Sequence, residues 1–152
     1  MRHKWMAACL LGIAIAAAGC SGSGSGTEIT ESGDLIITES AVTEKAKFIP
    51  VTVEGVDLEV IAVKAPDGTI RTAFNTCQVC YDSGRGYYVQ EDKQLVCQNC
   101  GNRFTMDKVE KTAGGCNPFP IFDSNKTVED GKIKISAEFL QQAKVIFENW
   151  KA

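Results

Sequence analysis

The sequence predicts a mainly β protein: a small antiparallel β domain carrying two C-x-x-C metal knuckles and closed by a C-terminal amphipathic helix. Three observations predict it. Short runs with alternating apolar residues are separated by Gly, Asp and Pro turn signals from Phe48 onward. Two C-x-x-C pairs, Cys77/Cys80 and Cys97/Cys100, stand 16 residues apart. A single helical stripe occupies the last fifteen or so residues, after a serine suited to capping it.

The N-terminal segment is expected to be processed rather than folded. Arg2 and Lys4 precede Met6 to Ala18, an apolar run of 13 residues. That is too short to cross a bilayer as a permanent helix and suits the core of a secretory signal. The run ends in Ala17-Ala18-Gly19-Cys20, which resembles a lipoprotein cleavage site with Cys20 as the acylated residue. Cleavage of an ordinary secreted protein after a small residue is the plainer alternative. Acylation contributes about 0.8 kcal/mol per buried methylene and anchors a chain without spanning the membrane. The expected organisation is therefore a lipoprotein signal peptide at 1–19, a lipid anchor with a Gly/Ser tether at 20–27, and one cysteine-rich domain at 28–152. The expected location is the extracytoplasmic face of the cell membrane.

Without Arg2 and Lys4, 14 of the 16 basic residues remain against 19 acidic ones, a formal charge of −5. No basic cluster exists to bind nucleic acid. The lone histidine, His3, lies in the signal, so the mature chain offers no imidazole. That removes Ser-His and Cys-His nucleophiles, His-ligated zinc hydrolases and His-ligated clusters together. A dedicated catalyst is a poor fit, and an electron carrier or metal-binding accessory protein a better one.

Along the domain, Phe48 to Val63 reads as two strands about a turn at Glu54-Gly55. Ala65-Pro66-Asp67-Gly68 is a second turn, and Thr69 to Phe74 a strand that runs into the first cysteine pair. Gly84 and Gly86 break the stretch between the pairs. Gln94-Leu95-Val96 leads into the second pair, and Arg103 to Met106 leaves it. Gly131 to Ile135 forms the last strand. Ser136 then caps a helix whose Phe139, Leu140, Ala143, Ile146, Phe147 and Trp150 recur three and four apart, a core-facing stripe. Glu28, Glu31, Asp34, Glu39 and Glu44 are expected to form a solvated face. Arg85, Tyr87 and Tyr88 either pack, dock a partner or tune the site.

Cys9 leaves with the signal and Cys20 is the expected lipidation site, so five cysteines remain, an odd number that cannot all pair within one chain. A C-x-x-C turn aims two sulfurs at one centre, and two such turns supply Cys77, Cys80, Cys97 and Cys100 as four thiolates. This set suits an iron–sulfur cluster or, as the alternative, zinc in a zinc-ribbon-like binding module. Two exchangeable disulfides, as in a thiol–disulfide oxidoreductase, are the third reading, but neither pair has a βαβ context. Gly101, directly after Cys100, is placed where a knuckle needs positive φ, whereas Tyr81 follows Cys80. Cys116, in Gly114-Gly115-Cys116-Asn117-Pro118-Phe119-Pro120, is either a thiol in a tight connection or a fifth ligand or supporting group.

The order F-N-T-C-Q-V-C, G-R-G-Y, L-V-C-Q-N-C-G-N-R-F, G-G-C-N-P-F-P and D-G-K-I-K-I resembles the FtrD-like membrane iron–sulfur protein family, over roughly Phe48 to Trp150. The resemblance implies a bacterial envelope protein associated with iron transport, with an iron–sulfur or metal centre on Cys77, Cys80, Cys97 and Cys100 and a membrane transporter or redox partner. Members often carry several membrane spans before this domain, where this sequence has only a signal and anchor. A weaker similarity is to Rieske domains, with Cys80 and Cys100 at or near the histidine places. That similarity implies a 2Fe–2S cluster with all-thiolate ligation. Exchanging imidazole for thiolate adds negative charge and lowers the potential toward about −400 mV, as in plant-type ferredoxins.

Overall fold

The computed structural model describes residues 26–152. The expected signal peptide, Cys9 and Cys20 lie outside the described residues. No helix among the described residues is long and apolar enough to cross a membrane.

Among the described residues, eleven short strands form three antiparallel sheets. β3 (Lys47–Val53) and β4 (Val56–Lys64) make the expected hairpin, with Glu54 and Gly55 both at positive φ in its two-residue turn. β5 (Ile70–Cys77) follows the turn at residues 65–69, where Ala65 N–H and Thr69 C=O bond at 2.8 Å. With β9 (Pro118–Pro120) these strands build the central sheet, ordered β3-β4-β5-β9. A second sheet, β1-β2-β11-β10, sets the first described strands beside two late ones: β1 (Thr27–Ile29), β2 (Leu35–Thr38), β10 (Thr127–Glu129) and β11 (Lys132–Ile135). The third sheet is a meander of β6 (Tyr88–Glu91), β7 (Gln94–Cys97) and β8 (Arg103–Thr105).

β4 explains how the three sheets fit together. Its central residues are buried on both faces, so it reads as a continuous apolar run rather than an alternation. Val60 and Ala62 enter one core with Leu35, Ile37, Ile133 and Leu140. Ile61 and Val63 enter another with Tyr88, Leu95, Phe104 and the cysteines Cys77, Cys80 and Cys97. β5 divides its residues in the same way, Phe74 to the first core and Ala73 and Cys77 to the second. Three of the thiols are therefore members of a hydrophobic core and are not left to make one on their own.

The C-terminal helix is shorter than its stripe predicts. Ser136 Oγ accepts from Phe139 N–H as the expected cap, but α1 spans only Ala137–Gln142 before a 3-10 stretch, Ala143–Phe147. Tightening to three residues per turn aligns Phe147 and Trp150. Phe147 packs edge-on against Phe74 at 5.8 Å, and Trp150 Nε1 donates to Asn75 C=O at 2.7 Å. The stripe is core packing, as its periodicity predicts.

Asp34 departs from the solvated face expected for the acidic residues near the tether, where Glu28, Glu31 and Glu44 are exposed. It is 9 % exposed, its carboxylate accepting from Ala137 N–H at 2.9 Å and pairing with Lys134 at 2.7 Å. The Lys134 hydrogen bond first, then the Ala137 amide, hold its carboxyl below the usual carboxylate range. Asp34 thus acts as an additional cap from another strand connection, satisfying an N–H that the helix itself leaves open.

Candidate metal centre

β5 and β7 end at Cys77 and Cys97, and each carries its cysteine into a turn. The second knuckle closes as its glycine predicts. Gly101 sits at φ 72, its N–H bonds Cys97 C=O at 2.9 Å, and Cys97 N–H bonds Asn102 C=O at 3.0 Å. The first knuckle, which has Tyr81 in the equivalent place, closes differently. Ser83 caps Cys80 C=O with its N–H at 3.0 Å and its hydroxyl at 2.7 Å, Gly84 turns the chain at φ 77, and Cys77 N–H bonds Gly86 C=O at 2.6 Å. A Cβ on Gly86 would stand 2.2 Å from the Cys80 carbonyl oxygen, so only glycine passes there.

Register fixes the two knuckles against each other. Tyr88, the first residue of β6, pairs with Cys97 across the sheet. Its N–H bonds Asn75 Oδ1 at 2.7 Å and its carbonyl accepts from Asn75 Nδ2 at 3.1 Å, tying β6 to the strand that bears Cys77. Gln98 N–H bonds Tyr87 C=O at 2.8 Å, and the Arg85 guanidinium bonds Gln98 C=O at 3.2 Å.

The loop around Cys116 completes the site. Gly114 N–H donates to Gln78 Oε1 at 2.9 Å, and Gln78 N–H to Asn117 C=O at 3.0 Å, so the loop lies along the first knuckle. Cys116 C=O accepts from Tyr88 Oη at 2.9 Å and Asn102 Nδ2 at 2.8 Å.

These contacts gather five sulfurs. Cys77, Cys80 and Cys116 form one group with Sγ atoms mutually within 4.8 Å, and Cys80, Cys97 and Cys100 form another, with Cys80 common to both. All five are free thiols. Cys77 and Cys97 are 0 % and 1 % exposed, whereas Cys100 is exposed. The sequence pairs are brought together, and Cys116 joins them.

Each thiol's acidity follows from its surroundings. Burial works to raise Cys77, but the Tyr88 hydroxyl, the Val79 and Cys80 amides and the Cys80 thiol outweigh it and hold Cys77 below its ordinary value. Burial raises Cys80 and pushes Cys97 up to about 12. The Asn102 N–H, ahead of all else, lowers Cys100. The neighbouring Cys100 thiol, then burial, push Cys116 up to about 12. One thiol in each knuckle is thus predisposed to ionise, and the others release their protons to water chiefly when a cation binds. Tyr88, raised by burial and by the Cys77 thiol, stays a neutral donor.

The sequence undervalues Tyr88. Tyr87 and Tyr88 read as a turn with aromatics, but period two in a strand puts neighbouring side chains on opposite faces. Tyr88 is 1 % exposed and faces the thiols, while Tyr87 packs against Trp150.

The donor set is uniformly sulfur, which suits soft metals and iron–sulfur clusters. Backbone N–H groups directed at Cys77, Cys97 and Cys100 are the arrangement that stabilises bound thiolates. The residues present fit such a group.

No curated protein matches the chain. A crystal structure of the quaternary ammonium Rieske monooxygenase CntA in complex with an inhibitor matches at 17 % identity and a TM-score of 0.37, covering 65 % of this chain. This chain covers 33 % of that one, about a third of its length. The sequence model of the family described as "Membrane iron-sulfur containing protein FtrD-like" matches residues 41–147, which include all five clustered cysteines. The chain belongs to the FtrD-like family of membrane iron–sulfur containing proteins.

Proposed function

We propose that this protein is an extracytoplasmic carrier, held to the membrane by a lipid on Cys20. In this reading its cysteine cluster holds an iron–sulfur centre that passes single electrons, or hands metal, to a membrane system for iron transport. Cys77, Cys80, Cys97 and Cys100 are the thiolates assigned to hold it. Family membership and the all-sulfur donor set support the cofactor. When bound, such a centre supplies one-electron oxidation and reduction at a potential set by ligand charge, hydrogen bonds to sulfur and exposure.

The observation that carries the reading is the asymmetry of the site. Cys77 and Cys97 are sealed in the second core, while Cys100 reaches the surface beside Asn99 and Gly101, both exposed. Val79, 58 % exposed on the first knuckle, lies on the outside of its turn. A metal that only replaced missing core would gain nothing from an open side, whereas exchange with a partner requires one. The amides of Val79, Cys80, Asn99 and Asn102 hold the sulfurs in place and favour their ionised forms. Tyr88 donates its hydroxyl to the Cys116 carbonyl from the buried side of the site.

The test is the double variant Cys77→Ser/Cys97→Ser, which removes one sealed thiol from each knuckle. Expressed beside the parent chain, it is expected to purify without metal and without visible absorption. Full metal occupancy in this variant would refute the assignment. Membrane fractionation of Cys20→Ser tests the anchor: release into the soluble fraction is expected, and unchanged membrane retention contradicts it.

A further inference from the structure

Five thiols converge where a tetrahedral metal or a four-thiolate cluster has places for four. How each thiol is held separates three fixed holders from two that share one place. Cys77 and Cys97 terminate strands and are sealed from solvent, and Cys80 belongs to both sulfur groups. The remaining two differ from these and from each other. Cys100 is exposed and precedes Gly101, around which there is open space. Cys116 is partly covered and its loop is held on three sides: by Tyr88 of β6, by Asn102 of the second knuckle and by Gln78 of the first. Support from both knuckles fixes a side chain relative to the other sulfurs, as the hydrogen bonds behind a metal ligand do.

We infer that Cys116 is a ligand of the centre, and that Cys100 and Cys116 are alternative holders of its fourth position. The closed ligand set is Cys77, Cys80, Cys97 and Cys116; the open set replaces Cys116 with Cys100 at the surface. This inference rests on the reading that the cluster holds a soft metal, and not on that metal being iron. On exchange the incoming thiol gives its proton to water and the outgoing thiolate takes one up, so the metal keeps its charge and oxidation state. The open set presents the centre to an incoming soft donor such as a partner's thiolate. The closed set withdraws it.

Cobalt(II) titration of the full chain tests this, because thiolate-to-cobalt absorption grows with each thiolate bound. The parent is compared with Cys100→Ser, Cys116→Ser, the double variant of both, and Cys97→Ser, all carrying the same Cys9 and Cys20. Each of the first two is expected to keep the parent's full thiolate absorption, since the other thiol fills the vacated place. The Cys100→Ser/Cys116→Ser double and the Cys97→Ser single are each expected to lose one thiolate's absorption. Their affinity should fall by more than the roughly 100-fold that loss of a supporting group costs. Loss of a thiolate in either single variant, at 100 or at 116, would overturn the exchange. Serine is nearly the shape of cysteine, so the singles keep the test readable even if the double fails to fold. Native protein carrying zinc would defeat the iron–sulfur reading and leave this inference standing, whereas a parent chain that takes no cobalt would defeat both.

Discussion

At the scale of single residues, Tyr88 has the most concentrated role. It lies in the second core, donates its hydroxyl to the Cys116 carbonyl, and stands beside the Cys77 thiol. Tyr88→Phe keeps the ring and removes that donor. The expected result is a loss of about 1 kcal/mol in stability by denaturant unfolding. A changed absorption spectrum of the loaded protein is expected with it, because a hydrogen bond near sulfur is lost. A spectrum identical to the parent's would show that the hydroxyl serves packing alone. Gly86 acts through what it lacks. Alanine there drives a methyl into the Cys80 carbonyl, a backbone group that cannot swing aside, so the first knuckle must shift. Gly86→Ala is expected to cost about 1–3 kcal/mol and to lower metal occupancy, measured as metal per chain. Unchanged occupancy would mean that the first knuckle tolerates displacement.

Among the elements, turns were legible in the sequence and long-range ties were not. The Glu54-Gly55 hairpin turn and Gly101 of the second knuckle are dictated by local backbone demands, and both stand where the residues put them. The first knuckle was less readable because Ser83, Gly84 and Gly86 do together what Gly101 does alone. The convergence of Cys116 was only half visible. Its loop is directed by Gln78, 36 positions from Gly114, and by Tyr88, 28 positions from Cys116. Asp34 misread as solvated for the same reason, since its partner Ala137 lies 103 positions away. Because its carboxyl is held below the usual range, Asp34 stabilises the fold fully above its unfolded value of about 3.9. That contribution is lost as pH falls through the lower folded value. Asp34→Asn is therefore expected to be less stable than the parent near neutrality and to converge with it in acid. Curves that stay parallel to the lowest pH would contradict a role for this charge.

Taken whole, the molecule has two cores divided by one sheet, and the division separates two tasks. The first core includes residues of β2, β11 and α1 and, among the described residues, holds no sulfur. The second is smaller and is built around the thiols. A bound metal is therefore expected to stabilise the β6-β7-β8 side most, with the first core supplying a fold that persists without it. The cluster is expected to carry iron and sulfide rather than a lone structural ion. Anaerobic purification of the full chain, with metal and acid-labile sulfide analysis and an absorption spectrum before and after dithionite, tests it most directly. Iron and sulfide in equal amounts, about two of each per chain, with visible bands that bleach on reduction, is the predicted result. One zinc per chain, no sulfide and a featureless spectrum that dithionite leaves unchanged would contradict it.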